Sequence, residues 1–241
     1  MHDRRPGPAG TYGDHRNSPG PGGLRAGARV PQAGGLRRAC RIASLSPVTH
    51  LLLSWSLADA AGLTARQRLV VAPAGVAPDL DGLGLVADLG ARALHLPDPD
   101  WYGRAHHMLL HGLPGALLIA GLAALATPRD EAAGGGRTGV ALWAFAVVHL
   151  HLLCDLLGSA GPLPGQRWPI AYLSPLSATP VWTWSGQWLL NGWQNVTLSC
   201  ALLGWVVVRA LRAGRSPLEV VAPRLHGAFV EALRRCLARA G

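Results

Sequence analysis

Residues 139–157 read GVALWAFAVVHLHLLCDLL, a run whose only charged or basic side chains are His149, His151 and Asp155. A helix needs about 20 predominantly apolar residues to cross a bilayer core, and this run has that length and character. His151 and Asp155 are four residues apart, which places them on one face of a helix. His149 falls on the other side and is the less favoured ligand. A carboxylate buried among apolar side chains is costly unless it is paired, and ionisable groups inside spans mark function. A metal ion shared by His151 and Asp155 removes that cost. A hydrogen-bonded His–Asp pair without metal is the rival reading.

Working outward, residues 108–127 read MLLHGLPGALLIAGLAALAT and form a second expected span, with His111 near its start. The charged, Gly-rich turn 128–138 joins the two. Residues 158–185 are rich in Gly, Pro, Ser and Trp and read as an interfacial loop. Gln187 to Val208 is the third expected span, closed by Arg209, Arg212 and Arg215. Trp168, Trp182, Trp184, Trp188 and Trp193 gather around its start, where an aromatic belt belongs. Upstream, residues 47–63 form a short apolar helix containing Asp59, and residues 69–77 a shorter one ending at Pro78; both read as half-embedded. Residues 82–105 read as a connection broken by Pro97 and Pro99. The fold class is therefore all-α, an integral membrane helical bundle with about three spans plus short half-embedded helices. Residues 1–40 form a disordered Arg/Gly/Pro-rich tail, 47–210 the membrane-embedded domain and 217–241 an amphipathic C-terminal helix.

Composition agrees. The 241 residues are 49% hydrophobic and 15% charged, against about one quarter charged in soluble domains. The formal charge is +9, yet all 22 basic residues are arginine and they cluster towards the termini. This is the basic flanking of apolar segments that the positive-inside rule describes, and it does not make a nucleic-acid surface. Cys40, Cys154, Cys200 and Cys236 are too scattered for a zinc clip or a disulfide framework.

Three further places carry chemistry. His50 lies near the start of the first apolar helix. In Gly75-Val76-Ala77-Pro78-Asp79-Leu80-Asp81, proline ends the helix and a turn presents two carboxylates at one edge; an ordinary Asp/Gly turn is the bland alternative. In His106-His107-Met108-Leu109-Leu110-His111, His107 and His111 are four apart and share a helix face. Antiparallel spans joined by a short turn place His111 and Asp155 on the same side, within reach of the Asp79/Asp81 turn. Imidazole and carboxylate donors suit zinc, manganese or iron.

These residues, over about 47–177, resemble the YdjM/YbcI-type inner-membrane metal-dependent hydrolases, and more distantly the zinc-dependent phospholipase C and P1 nuclease-like group. The resemblance rests on His50, the G-x-x-P-D-x-D turn (Gly75, Pro78, Asp79, Asp81), the His-x4-His element (His106, His111) and the H-x3-D helix (His151, Asp155). The third element lacks the family's H-R-G-x-T-H-S text, which leaves open whether His106 or His107 is the ligand. The resemblance implies a divalent metal, zinc foremost, held by Asp79 or Asp81, a histidine among 106, 107 and 111, His151 and Asp155, with Asp155 reaching a second metal near His50. Asp79, Asp81 and Asp155 are its catalytic candidates. It implies a multi-pass inner-membrane hydrolase of bacterial type, acting on a small phosphoester or lipid-derived ester among membrane lipids through metal-activated water. By the positive-inside rule the charges of the 128–138 turn and of the tail after Arg209 favour a site outside the cytoplasm, while Arg92, Arg104 and Arg167 on the other side count against it and leave the orientation open. A non-catalytic membrane protein with a structural or degenerate His/Asp site, or a metal-ion transporter subunit, are the alternative functions.

Overall fold

A computed structural model describes residues 46–97, 99–129 and 135–239. The expected N-terminal tail lies outside the described residues. The elements are almost all helical: α1 (Ser46–Ala60), α2 (Ala65–Ala74), a 3-10 helix (Ala77–Leu83), α3 (Gly84–Ala93), α4 (Trp101–Ala105), α5 (Leu113–Ala126), α6 (Gly136–Gly158), α7 (Trp193–Ala213), α8 (Leu218–Val221) and α9 (Pro223–Ala238). Two-residue strands β1 (Ile170–Ala171) and β2 (Val181–Trp182) pair antiparallel within the loop that follows α6.

Two helices, α6 and α7, are long and apolar enough to cross a membrane. A bent pair, Ala65–Ala74 with Ala77–Ala93, raises the number to three if its 45° break sits within one span. The set differs from the one expected. The run 108–127 does not form one helix: α5 has only 14 residues, a rise of about 21 Å, short of a hydrocarbon core of about 30 Å. Gly112 is extended, Pro114 fixes the first turn of α5, and His107 sits at positive φ (66°), so the histidine segment before Leu113 is a loop. Likewise α7 starts at Trp193, because Gly192 is extended, and runs past Val208 to a left-handed Gly214 cap. The 82–105 stretch is not a plain connection; it contains α3 and α4. Pro78 does not end α2, which stops at Ala74; it opens the 3-10 helix instead.

α5 and α6 pack against each other and against α2 around Val71, Ala116, Ile119, Ala120, Val140, Ala144, Val147 and Val148. Small side chains let the backbones approach, which is how helices associate in lipid. α1 joins α2 to α7 through Leu52, Trp55, Ala72, Leu202 and Val206. The entry to α2 is fixed by a capping box, with Thr64 Oγ1 accepting from Gln67 N–H and Gln67 Oε1 accepting from Thr64 N–H. At its exit a Cβ on Gly75 would collide with the Ser54 hydroxyl, so only glycine allows α1 and α2 to close there. In α7 just 11% of the most apolar window is buried, and Leu203, Trp205, Val207 and Val208 face outward. Such an apolar surface suits lipid contact.

A charged cluster locks one end of the bundle. Asp59, buried at the end of α1, takes Arg209 and Arg215 and lies 4.0 Å from Arg68. Arg68 binds Glu219 through two bonds (2.6 and 3.0 Å) and the Leu63 carbonyl (2.6 Å), and Trp55 Nε1 donates to Glu219 at 2.8 Å. Burial pushes both carboxyls up, but the arginine contacts outweigh it and hold Asp59 and Glu219 below the usual carboxylate range. Arg137, which bonds the Thr127 carbonyl at 2.8 Å, marks the start of α6, at the opposite end of that helix from Asp155.

Candidate metal centre

The 23-residue helix α6 carries His151 and Asp155 into the protein near its C-terminal end, where they are 1% and 4% exposed. His151 Nδ1 lies 2.8 Å from the Gly75 carbonyl. A carbonyl only accepts, so Nδ1 carries the hydrogen and the Nε2 lone pair faces inward. The glycine that lets α1 and α2 approach thus also sets the tautomer of a histidine 76 residues away.

His111 is oriented in the same way by a carboxylate. Its Nδ1 lies 2.9 Å from Asp81 Oδ2, which also accepts from Leu110 N–H at 3.3 Å. Asp81 Oδ1 lies 2.8 Å from His106 Nδ1. Asp81 therefore grips two imidazoles of the loop, and the outer nitrogen of His111 is left pointing at Asp155 and His151. That is the carboxylate–histidine arrangement that orients metal ligands. Relative to this centre Asp81 is a positioning group behind His111.

The inward atoms form a compact set. His111 Nε2 and His151 Nε2 are 3.2 Å apart. Asp155 Oδ2 is 3.1 Å from His151 Nε2 and 3.5 Å from His111 Nε2. Asp79 Oδ1 lies 3.7 Å from His151 Nε2 and 3.9 Å from His111 Nε2. Two bare imidazole lone pairs facing each other at 3.2 Å repel, and either a proton on one of them or a cation between them relieves the contact. A tetrahedral ion with bonds of about 2.0–2.1 Å holds its donors about 3.3 Å apart, and the His111, His151 and Asp155 atoms form a triangle of nearly that size. Asp79 Oδ1 stands farther out than the triangle, which leaves the fourth position of such an ion open, and Asp79 Oδ2 is buried without a hydrogen-bond partner. These residues fit a divalent cation.

His50 approaches from α1: its Nε2 is 3.4 Å from Asp155 Oδ1 and its ring packs 3.8 Å from that of His151. Asp155 Oδ1 also accepts from Ser159 Oγ at 3.2 Å. The two oxygens of Asp155 thus face different histidines. His107 stacks on His111 with ring centroids 4.1 Å apart, and together with His111 and Asp155 it forms another group with metal-ligand spacing. Burial pushes the His107 imidazole down to about 2, with His111 and His106 adding to the effect, so it is neutral and able to donate a lone pair. His50, Asp79 and His151 form a further group, as do Asp81, His106 and His111. All eight sequence candidates, His50, Asp79, Asp81, His106, His107, His111, His151 and Asp155, are thereby brought into one neighbourhood. The route differs from the one expected for His107 and His111, which meet across an irregular loop rather than along a helix face.

His149 stays apart, with Nδ1 2.9 Å from the Phe145 carbonyl and Nε2 3.0 Å from the Tyr172 hydroxyl. Every recorded ion-pair partner of Asp79, Asp81 and Asp155 among the described residues is a histidine. Three carboxylates thus meet only groups that are uncharged unless protonated.

Sequence reasoning missed several supporting residues. Gly75 acts through its carbonyl, which no side-chain motif reveals. Asp88 accepts from Trp101 N–H (2.8 Å) and Tyr102 N–H (2.9 Å), pinning the short helix that leads to His106. Tyr102 stacks on His106 at 4.6 Å. Trp168, expected in an interfacial belt, packs 4.4 Å from the His107 ring and covers the histidine loop. Trp182 and Trp188 likewise have internal partners, Tyr172 and Asn195, whereas Trp193 is 73% exposed. An aromatic cluster in sequence marked both roles without separating them.

Compared with protein-family models, curated proteins and solved structures, the chain has no match.

Proposed function

We propose that this chain is a multi-pass membrane protein with a divalent-metal centre, zinc foremost, that hydrolyses a phosphoester or a lipid-derived ester. The observation that carries the reading is the triangle of His111 Nε2, His151 Nε2 and Asp155 Oδ2, with edges of 3.2, 3.1 and 3.5 Å and with the other nitrogen of each imidazole held as a donor. The motif resemblance of His50, Asp79/Asp81, His106/His111 and His151/Asp155 to inner-membrane metal-dependent hydrolases supports the same reading, as do two helices able to cross a bilayer. A bound ion in such a centre lowers the pKa of a water towards neutrality and polarises the ester oxygen.

The chain's own groups have defined tasks in this reading. His111, His151 and Asp155 bind, and Asp81 and the Gly75 carbonyl orient the two imidazoles. Asp79 is the least covered of the three carboxylates, with its side chain 17% exposed against 0% for Asp81 and 5% for Asp155. Its Oδ1, 3.7 Å from His151 Nε2, would take the proton of the attacking water. The water oxygen bonds to the phosphorus or acyl carbon, the ester bond breaks, and the leaving oxygen receives the proton.

Detergent-purified protein is expected to contain stoichiometric metal by elemental analysis and to hydrolyse bis-p-nitrophenyl phosphate. Asp155→Asn is expected to lose both. Unchanged metal content in that variant would remove the centre, and metal without hydrolysis in the wild type would leave a structural site.

A further inference from the structure

Away from the metal centre, a groove of about 670 Å³ lies between α1, α2 and α5. All fifteen residues that line it are Ala, Val, Leu, Ile or Pro. Its volume is that of a small-molecule site, but it lacks the few convergent polar groups that such sites carry. The groove runs with the helices: α5 contributes from Ile119 to Ala126, about 10 Å of rise, and α2 contributes from Leu69 to Ala74. One end lies at Leu69, Val70 and Ala126, which also line a neighbouring pocket with Arg66. The other is formed by Ala77 and Leu80 of the 3-10 helix that also carries Asp79.

We infer that this groove holds one hydrocarbon chain of the lipid whose head-group ester is cleaved at the metal centre. This rests on the hydrolase reading and narrows its substrate to an acyl-chain-bearing lipid. Three observations favour a hydrocarbon chain over other occupants. A polypeptide segment would bring backbone N–H and C=O groups into a wall that offers them no partner. The 45 residues preceding Ser46 are rich in Arg, Gly and Pro, which do not match an all-aliphatic lining. The groove also ends at the turn carrying the least covered carboxylate of the centre, so a chain lying in it brings its own polar end to Asp79.

The test uses full-length protein in nanodiscs with stearic acid carrying a nitroxide near its methyl end. Electron paramagnetic resonance is expected to show a motionally restricted component with the wild type. Ala126→Trp, which fills the end of the groove far from the metal, is expected to abolish it, and the smaller Ala126→Val to reduce it. Both variants are expected to keep their metal and their hydrolysis of bis-p-nitrophenyl phosphate, showing that they are folded. With phospholipid substrates, Ala126→Trp is expected to shift preference towards shorter chains. A restricted component that is absent from the wild type, or that persists in the metal-loaded Ala126→Trp protein, overturns the groove assignment alone. A wild-type dimer that Ala126→Trp dissociates also overturns it, because a second copy would then be the occupant. A nitroxide signal that behaves as expected in a protein without metal or phosphodiesterase activity overturns the hydrolase reading and, with it, the assignment of the chain to a substrate.

Discussion

α1 carries a buried polar cluster at each end, and the two are built on opposite principles. Asp59 and His50 lie nine residues apart on it, about 14 Å of helix rise. Around Asp59 the charges are permanent: Arg68, Arg209 and Arg215 face Asp59 and Glu219, an excess of one positive charge, and Trp55 Nε1 and the Leu63 carbonyl take up further hydrogen-bonding positions. Around His50 the ion-pair partners of three carboxylates are imidazoles, and two of those imidazoles face each other through Nε2. The first cluster closes α1, α2, α7 and α8 without help. The second is balanced only by protons on those imidazoles or by a cation taken up among them. Burial alone does not separate a structural polar site from a candidate binding site. What sets these two apart is the partner of each carboxylate, a permanent guanidinium at one end and an imidazole that is charged only when protonated at the other.

The comparison can be broken most decisively at the arginine end. Asp59→Ala takes the carboxylate from Arg209 and Arg215 and leaves Arg68 with Glu219; breaking a fully buried pair costs about 3–5 kcal/mol, and solvent at the partly exposed Arg209 and Arg215 lowers that here. The melting temperature is expected to fall steeply while the folded fraction keeps its metal, since the residue lies at the other end of α1. Metal loss in folded Asp59→Ala would show that the two ends are coupled.

A smaller effect is expected behind His111. Asp81→Asn keeps the shape of the side chain but weakens its hold on the two imidazoles, and loss of such an outer partner lowers metal affinity about 10–100-fold. Competition with a chromophoric chelator measures it. Complete loss of metal would instead make Asp81 a direct ligand.

Acid titration separates the two ends by a graded effect. Asp59 and Glu219 have carboxyl groups held below their usual values, so their stabilising contribution is complete above the ordinary carboxylate range of about 4. That contribution is lost only as pH falls through the lowered native values. Protonation of imidazole and carboxylate ligands competes with the metal. Metal is therefore expected to leave at a higher pH than the one at which tryptophan fluorescence reports opening of the helices. Simultaneous loss would mean that the metal also holds the arginine end together.

The residues that make the centre were legible because they are rare where they stand. His151 and Asp155 interrupt an apolar run, and Asp79, Asp81 and the 106–111 histidines sit at the edges of others. Their individual roles were not legible. Spacing alone made Asp81 and Asp79 equivalent, whereas Asp81 lies behind His111 and Asp79 lies in front of it. The Asp59–Arg68–Arg209–Glu219 lock was invisible, because its members are up to 160 residues apart in a chain with 22 arginines. The lengths of the helices around residues 108–127 and 187–192 were misread for a local reason. Apolar composition continues through Gly112 and Gly192, but the backbone there is extended.

By itself the sequence determined that the chain is helical, that it has apolar stretches long enough to cross a membrane and that it concentrates imidazoles and carboxylates at their edges. Composition and periodicity are properties of the chain, so they survive without knowledge of how it folds. Only the tertiary structure decided which nitrogen of His111 and of His151 faces inward, which carboxylate holds two imidazoles and which one is least covered, and which arginines are used up in ion pairs. Those are relations between residues tens of positions apart, and close packing of helices, made possible at Gly75 by the absence of a side chain, is what brings them together.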